Sequence, residues 1–319
     1  MTPDFEPYVG EVVDTVSMEL DNSLAPSSTR WVSRPVGKDK ISDATLALYV
    51  DGKAGQDDVV ILISNPVFPD VVQEDIEKAK DVIHLVDPAV HRHIVQPLAS
   101  GRHGTQSYAA FRRLEPLSQN RVLRYFQKRR VSPGIVRWLS DLAVQTKQIR
   151  TAPDEISKFF MGPLNSIAAD DDMSSEIKAF CQNCLTDLSG SGRVLFTTVE
   201  HGDFWLGNIF FERSRIPALG PAHDAFFVID WRGSRIDGYP CLDLARYCLS
   251  TFGGNPRQSA RLLDDYRHAL GLAPFEMGLY CMVALGRLGM NLDKFPKDRY
   301  CSLADRIFRL LRAHGYTET

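Results

Sequence analysis

The sequence lacks a strong charge of either sign. Its 319 residues carry 37 Lys and Arg against 40 Asp and Glu, which gives a formal net charge of −3 and a pI near 6.2. A protein that holds nucleic acid through a broad surface is expected to be strongly basic. The composition therefore disfavours nucleic acid as a partner.

Long apolar runs are also missing. The longest nearly apolar stretch, 277–290, is interrupted by Arg287 and is shorter than the ~20 residues that span a bilayer. The segment before the first basic residue, Arg30, is acidic, the opposite of a signal peptide. We therefore expect no membrane partner and a cytoplasmic location.

Cysteine is sparse, with 6 residues in the whole chain. This number is too small to indicate a fold held together by disulfide bonds. Cys181 and Cys184 form a C-x-x-C pair. A zinc or redox site would need a second ligand pair or a βαβ context, and neither is visible. We interpret the two residues as small half-buried side chains near the end of a helix.

The first third of the chain has the pattern of a small β-rich unit. A short amphipathic helix opens it, and 31–33, 45–50 and 59–63 have the composition of three antiparallel strands. A helix follows, with Asp70 and Gln73 spaced as in a capping box, and two more strands are predicted near 94–98 and 108–113.

Helical patterns dominate after 114–117. Helices are predicted near 119–130, 133–149, 153–161, 172–187, 257–270, 275–291 and 302–313, with a β-rich island at 194–229. The sequence thus predicts an α+β fold of two lobes: a small antiparallel β lobe with one helix (1–115), and a larger, mainly helical lobe (116–319).

The segment 199–247 carries the chemistry. Asp203 and Asn208 flank a tight loop that leads into an apolar strand, and Asp230 ends a second apolar strand. Pairing of these strands as a hairpin through the polar loop 212–224 would bring Asn208 and Asp230 together. An amide oxygen and a carboxylate suit Mg²⁺ bound together with substrate phosphates. Asp203 would stand beside the metal, where it can accept a proton from a hydroxyl.

These residues also have ordinary structural interpretations, as turn or packing residues. Asp203 and Asn208 are residue types that also satisfy backbone groups in ordinary turns. His201 is a better candidate for a packed structural histidine than for a proton carrier, and Trp205 and Trp231 suit packing. A serine hydrolase is disfavoured because no G-x-S-x-G nucleophile elbow is present.

The run His201-Gly202-Asp203-x4-Asn208, followed by Ile229-Asp230-Trp231 and Leu242-Asp243-Leu244-Ala245, resembles the aminoglycoside-phosphotransferase and choline-kinase superfamily, which has a protein kinase-like fold. The resemblance implies Asp203 as catalytic base, Asn208 and Asp230 as metal ligands, and His201 and Asp243 as structural supports. It also places Glu115 where the hinge between the lobes is expected, beside the nucleotide.

One part of this pattern is absent. Such kinases carry a Lys on the third strand, paired with a Glu of the next helix, to hold the nucleotide phosphates. Here the third strand reads Val-Val-Ile-Leu-Ile-Ser, while the helix offers Glu74 and Glu77. Lys38 or Lys40, from the neighbouring turn, could supply the charge, although solvated lysines on a β-turn are an equally good interpretation.

The function predicted is Mg²⁺-dependent, direct in-line transfer of the γ-phosphoryl group of ATP or GTP to a hydroxyl of a small molecule. The alternatives are a pseudokinase, which binds a nucleotide or a partner without transfer, and a kinase that acts on a protein side chain. Residues 232–319 carry 13 Lys and Arg against 9 Asp and Glu, which favours a neutral or anionic acceptor over a polycation. Arg232 and Arg235 are candidates for phosphate or acceptor contacts, or for surface ion pairs.

Overall fold

The structure is a computed structural model, which describes residues 6–21, 24–25, 29–33, 45–53, 57–190, 192–212, 225–253, 255–292 and 295–318. Lys38 and Lys40, and the polar loop 213–224, lie outside the described residues.

A five-stranded antiparallel sheet dominates the N-terminal part. After helix α1 (Glu6–Glu19), its strands are β1 (Arg30–Ser33), β2 (Thr45–Val50), β3 (Val59–Ser64), β4 (Ala99–His103) and β5 (Gln106–Arg112). Their order across the sheet is β1-β2-β3-β5-β4. The three consecutive antiparallel strands expected from the alternating pattern are therefore present, with Leu48 opposite Ile61 in the β2–β3 register.

Helices cover both faces of this sheet. Helix α1 packs its valines against the inward residues of β2 and β3, and α2 (Val71–Ile83) packs Val72 and Ile76 on the other face. The start of α2 differs from the expected capping box, because the Asp70 side chain makes no cap bond and pairs with Arg102 instead. The backbone N–H of Val72 donates to Ser64 Oγ at 3.0 Å, so the sheet caps this helix.

The strand expected near 94–98 is displaced to β4, a few residues later. After the short helix α3 (Pro88–His91), the backbone bonds to the C-terminal part instead: the N–H of Val228 donates to the carbonyl of His93 at 2.7 Å, and Ile94 bridges Val228. Ile94 is buried in the larger hydrophobic core. The β-branched run therefore serves as a connection between the two parts.

The rest of the chain is mainly helical. Its helices are α4 (Arg121–Gln145), α5 (Pro153–Ile156), α6 (Gly162–Ala168), α7 (Ser175–Gly190), α8 (Leu242–Phe252), α9 (Pro256–Leu270), α10 (Pro274–Met290) and α11 (Lys297–Arg312), with a π-helical turn (Ser157–Met161) between α5 and α6. Its strands are β6 (Leu114–Glu115), β7 (Gln148–Arg150), β8 (Leu195–Glu200), β9 (Ile209–Glu212), β10 (Phe227–Val228) and β11 (Arg235–Gly238). They form two small sheets, ordered β10-β9-β6 and β11-β8-β7.

Helix α4 joins the two helices predicted at 119–130 and 133–149. Pro133 lies inside it, although proline removes one backbone hydrogen bond from a helix. The Ser132 hydroxyl donates to the Lys128 carbonyl at 2.6 Å in the same turn. Burial of Val131 and Ile135 on either side of the proline holds the helix continuous.

Helix α10 lies at the centre of the larger core, with the residues from 277 to 285 buried, and packs against α6. Among the described residues, no single helix is long and apolar enough to cross a bilayer; α9 and α10 pass such a test only as a pair, bent by 93°.

Cys181 and Cys184 lie on α7 with both thiols buried in the same core. Burial raises the pKa of Cys181 to about 12, so its thiol stays protonated at neutral pH.

The predicted α+β class, with a small antiparallel sheet followed by a larger helical part, is confirmed. The boundary at residue 115 stays a prediction.

Candidate active site

A hairpin of β9 and β10 brings Asn208 and Asp230 together. Phe227 pairs with Phe210 and Val228 with Ile209, and the N–H of Ile229 then donates to the Asn208 carbonyl at 3.1 Å. Asp230 follows directly, in the left-handed conformation with φ 65° and ψ 61°. This conformation is uncommon for a residue with a Cβ, and such strain is concentrated at functional sites.

Asp243, at the start of α8, fixes the loop that contains Asp203. Its two carboxylate oxygens accept the backbone N–H groups of His201 at 2.6 Å and Gly202 at 3.1 Å. Burial raises the pKa of Asp243 to about 6, while these donors act in the opposite direction. Asp243 thus fixes the backbone of this loop, and its role as a support of catalysis stays a prediction.

His201 is buried and locks the same loop. Its Nδ1 accepts the N–H of Asp203 at 3.3 Å, which leaves the proton on Nε2 to donate to the Ile229 carbonyl at 3.0 Å. Burial lowers the pKa of His201 to about 4, so the imidazole is neutral at physiological pH. The histidine thus links the Asp203 loop to the strand that ends at Asp230.

Gly202 allows a close approach of two turns. Its φ is +80°, and a Cβ there would stand 2.5 Å from the carbonyl oxygen of Gly233. The loop before Asp203 and the turn after Asp230 therefore meet backbone to backbone.

The Asn208 amide is oriented by Asp203. Its Nδ2 donates to the Asp203 carbonyl at 3.0 Å and approaches Asp203 Oδ2 at 3.4 Å. With the amide nitrogen held in this way, the amide oxygen is the atom of Asn208 that can ligate a cation.

Arg246 pairs with Asp203, a contact that the sequence analysis did not anticipate. One guanidinium nitrogen donates to Asp203 Oδ1 and another to the Gly202 carbonyl. Arg246 is three residues after Asp243 on α8, so one helix face supplies both supports of the loop. That spacing was a signal available in the sequence.

Asp75 of α2 reaches the turn after Asp230. Its Oδ1 accepts the backbone N–H of Arg232 at 2.9 Å. The pKa of Asp75 is raised to about 7, mainly by burial and to a smaller extent by the charge of Asp230. Burial and the charge of Asp203 likewise raise the pKa of Asp230, while Arg232 opposes that shift. Carboxylates that disfavour one another's charge in this way make a site suited to a cation.

The donor set fits Mg²⁺. The described part of the chain contains no cluster of three or more His, Cys, Asp or Glu arranged to hold a metal by themselves. Magnesium in phosphoryl-transfer sites takes only one or two protein carboxylates or amides and completes its shell with phosphate oxygens and water. The amide oxygen of Asn208 and the carboxylate of Asp230 are donors of this kind, and their role as metal ligands stays a prediction.

No protein-family model and no curated protein sequence matches this chain. Solved structures do match it. The apo form of a thermostable mutant of aminoglycoside phosphotransferase APH(4)-Ia superposes with a TM-score of 0.53 at 15% identity, over 93% of this chain and 97% of that one. A protein assigned as a fructosamine-3-kinase from Haemophilus somnus 129PT gives 0.49 at 11% identity (92% and 96%). Plasmodium vivax ethanolamine kinase gives 0.43 at 13% identity (92% and 82%).

The chain has the aminoglycoside-phosphotransferase fold. The resemblance read from residues 199–247 is confirmed at the level of the fold, whereas the roles of individual residues are argued from the site.

In this aminoglycoside-phosphotransferase fold, the sheet and the helical part enclose a cleft of about 1570 Å³, open to Asp203, Asn208 and Asp230. The part of its wall formed by β2 and β3 is uncharged: Ala47 and Leu62 lie opposite each other, and both line the cleft. Arg112, at the end of β5, also lines the cleft and pairs with Glu212 at 2.9 Å. No lysine lines this cleft within the described ranges. Leu62 thus lies on β3, the strand on which the resemblance predicts a phosphate-binding lysine.

The remaining nucleotide-site candidates are placed less centrally. Glu74 is exposed on α2 and lines a smaller adjoining cavity together with Asp203 and Asp230, whereas its neighbour Asp75 makes the contact to the loop. Glu115 lies in β6, opposite Phe211, and its carboxylate pairs with Arg113 at 3.1 Å. Roles in nucleotide binding for Glu74, Glu115, Lys38 and Lys40 stay predictions.

Proposed function

We propose that this protein is a phosphotransferase that moves the γ-phosphoryl group of ATP or GTP to a hydroxyl of a small molecule. The observation that carries the proposal is the convergence of Asp203, Asn208 and Asp230 on one cleft. The side chains of Asp203 and Asn208 are positioned by hydrogen bonds, and Asp230 is positioned by the hairpin. Phosphoryl transfer depends mainly on positioning and on neutralising charge, and this site provides for both.

Asp203 is suited to act as the base. Its Oδ1 is paired with Arg246, and 43% of the side chain is accessible. Among the described residues, Oδ2 has only the long contact of 3.4 Å to Asn208. Oδ2 is therefore the oxygen that accepts the hydroxyl proton. As the hydroxyl oxygen bonds to the γ-phosphorus, the bond to the bridging oxygen breaks and the nucleoside diphosphate leaves with that electron pair.

Asn208 and Asp230 would hold Mg²⁺, which when bound supplies positive charge against the nucleotide phosphates. The chain's own residues prepare this position: the β9–β10 hairpin sets the separation of the two ligands, and His201 ties the Asp203 loop to the end of β10.

Arg232 is proposed to replace the missing strand lysine. It follows Asp230 by two residues and lines both the cleft and the adjoining cavity beside Asp230. The hydrogen bond from its backbone N–H to Asp75 fixes the turn, and this turn carries the guanidinium group. Arginine binds phosphate oxygens with two parallel donors, and its charge does not depend on pH.

A pseudokinase is the second candidate, and one observation favours it. Leu62 and Ala47 leave β2 and β3 without a cation for the nucleotide phosphates, and Arg112 of β5 is paired with Glu212. Such a protein would bind a nucleotide weakly, or only without metal, and would transfer nothing.

Calorimetric titration with ATP and GTP, each with and without Mg²⁺, tests the proposal. We expect nucleotide binding that requires Mg²⁺ and weakens at least tenfold in Asp230→Asn. The exposed Asp81→Asn serves as a matched control and should bind like the wild type. Binding that is indifferent to Mg²⁺ and to Asp230 would establish the pseudokinase instead.

A further inference from the structure

One face of α11 lines the cleft. Arg299, Leu303 and Arg306 follow one another at intervals of four and three residues, so they form a single stripe on the helix. Both arginines are exposed, and Leu303 is half-buried. The stripe therefore presents two cations on either side of an apolar side chain.

This stripe lies on the helical side of the cleft, named here the acceptor wall. Helix α11 packs against α8, the helix that carries Asp243 and Arg246 and so supports the Asp203 loop. The nucleotide side, in contrast, is walled by β2, β3 and the end of β5. Arg299 and Arg306 therefore line the cleft from the helices that support the Asp203 loop.

The charge on this wall is unbalanced. Among the described residues, neither Arg299 nor Arg306 makes an ion pair or a side-chain hydrogen bond. The carboxylates that line the cleft are Asp75, Asp203 and Asp230, all at the catalytic loop or beside it. Within the described part of the chain, the acceptor wall thus carries two cations without an ion pair and no carboxylate.

The same wall is otherwise apolar. Side chains from the end of α10, from the start of α11 and from the Asp203 loop line it: Trp205, Leu288, Leu292, Phe295 and Pro296. Trp205 and Phe295 remain partly exposed, with 46% and 36% of their surface accessible. Exposed aromatic surface inside a cleft is a common feature of ligand sites.

We propose that Arg299 and Arg306 bind an anionic group, a phosphate or a carboxylate, of an acceptor whose apolar or planar part lies against Trp205 and Phe295. This inference rests on the proposed function, because the group is assigned to the acceptor of the same reaction. Two guanidinium groups recognise an anion through charge-assisted hydrogen bonds and repel a polycation.

A pair of fluorescent probes tests the subsite without knowledge of the acceptor. 1-Anilinonaphthalene-8-sulfonate joins an apolar body to an anionic group, and N-phenyl-1-naphthylamine has the same body without the charge. We expect the double variant Arg299→Ala/Arg306→Ala to bind the sulfonate about tenfold more weakly and the neutral amine unchanged. Arg309→Ala, on the same helix but outside the cleft, should bind both probes like the wild type.

Displacement of the sulfonate probe identifies the anion. Glycerol 3-phosphate as the better competitor assigns a phosphate, and glycerate as the better competitor assigns a carboxylate. An unchanged sulfonate affinity in the double variant, or an equal loss for the neutral amine, overturns the proposal. The phosphotransferase assignment fails separately, through the absence of Mg²⁺-dependent nucleotide binding in the wild type.

Turnover supplies a second readout. For any hydroxyl compound that proves to be an acceptor, the double variant should raise the KM for that compound about tenfold and leave the KM for the nucleotide unchanged. A neutral or cationic acceptor whose KM is the same in both proteins would contradict the subsite.

Discussion

The carboxylate of Asp75 accepts the backbone N–H of Arg232 at 2.9 Å, across 157 positions of sequence. The contact joins α2, which packs on the N-terminal sheet, to the turn that follows Asp230. It therefore couples the position of that helix to the proposed metal ligand and to the arginine proposed to hold the phosphates.

Removing this contact should weaken nucleotide binding. Asp75→Ala is expected to lower the affinity for Mg-ATP about tenfold, since hydrogen bonds to a charged group contribute ~1.5–3 kcal/mol. Asp75→Asn keeps an oxygen acceptor for the Arg232 N–H and should lose less. Calorimetry measures both. Asp81→Ala removes an exposed carboxylate of the same helix that lines neither cavity, and an effect there as large as that of Asp75→Ala would contradict the assignment.

Arg246 is expected to affect the chemical step. Arg246→Lys keeps the charge but cannot contact both Asp203 and the Gly202 carbonyl, so kcat should fall at least tenfold while the KM for nucleotide changes little. Steady-state kinetics with an identified acceptor measures this split. The exposed Arg261→Lys is the control, and equal kinetics in the two variants would remove Arg246 from this role.

Gly202 and Gly253 separate two costs of adding a Cβ. Both have positive φ, +80° and +64°, but only Gly202 would bring its Cβ within 2.5 Å of another backbone atom, whereas Gly253 has open space. We expect Gly253→Ala to lower the free energy of unfolding by ~1 kcal/mol, from the left-handed backbone alone. Gly202→Ala should cost clearly more and abolish transfer. Urea unfolding compares them, and equal losses would refute the close approach.

Glu200 predicts a pH dependence of stability. It is buried, and its Oε2 accepts the N–H of Tyr239 at 3.1 Å. Burial and then the charge of Asp243 raise the pKa of Glu200 to about 7, above the ~4.3 of an unfolded glutamate. The folded state therefore holds a proton that the unfolded state releases, so this stabilisation is present below pH ~4 and is lost as the pH rises to about 7.

Glu200→Gln keeps the acceptor and cannot ionise. Its Tm should fall less between pH 5 and pH 8 than the Tm of the wild type. Asp171→Asn alters an exposed carboxylate and should follow the wild-type curve. Scanning calorimetry across this pH range measures the Tm of each protein. Parallel curves of Tm against pH for Glu200→Gln and the wild type would show that Glu200 does not titrate in this range.

The hairpin that forms the site was predictable from the sequence, because two short apolar strands on either side of a polar loop have few other ways to pair. The register of the hairpin then places Asn208 and Asp230 at the same end. The strand predicted at 94–98 was misplaced because its β-branched residues suit a strand and a buried connection equally well. In the structure, Ile94 packs in the larger core. Local pattern does not reveal which partner a segment packs against.

Asp75 and Arg246 were missed for a different reason. Each acts through a contact with a distant part of the chain, so its spacing on a helix was visible in the sequence but the partner of its side chain was not. Asp75 nevertheless falls three residues after Val72 and four before Ala79, on the buried stripe of α2, where an unpaired carboxylate needs an explanation. Glu74 lies off that stripe, although its residue type matched the expectation.

Leu62 also has a consequence for chemical labelling. Reagents that deliver an acyl group from a nucleotide modify an amine that stands beside the bound phosphates, and neither β2 nor β3 offers one to the cleft. A survey of nucleotide-binding proteins that relies on a modified strand lysine would therefore pass over this protein even when its cleft is filled.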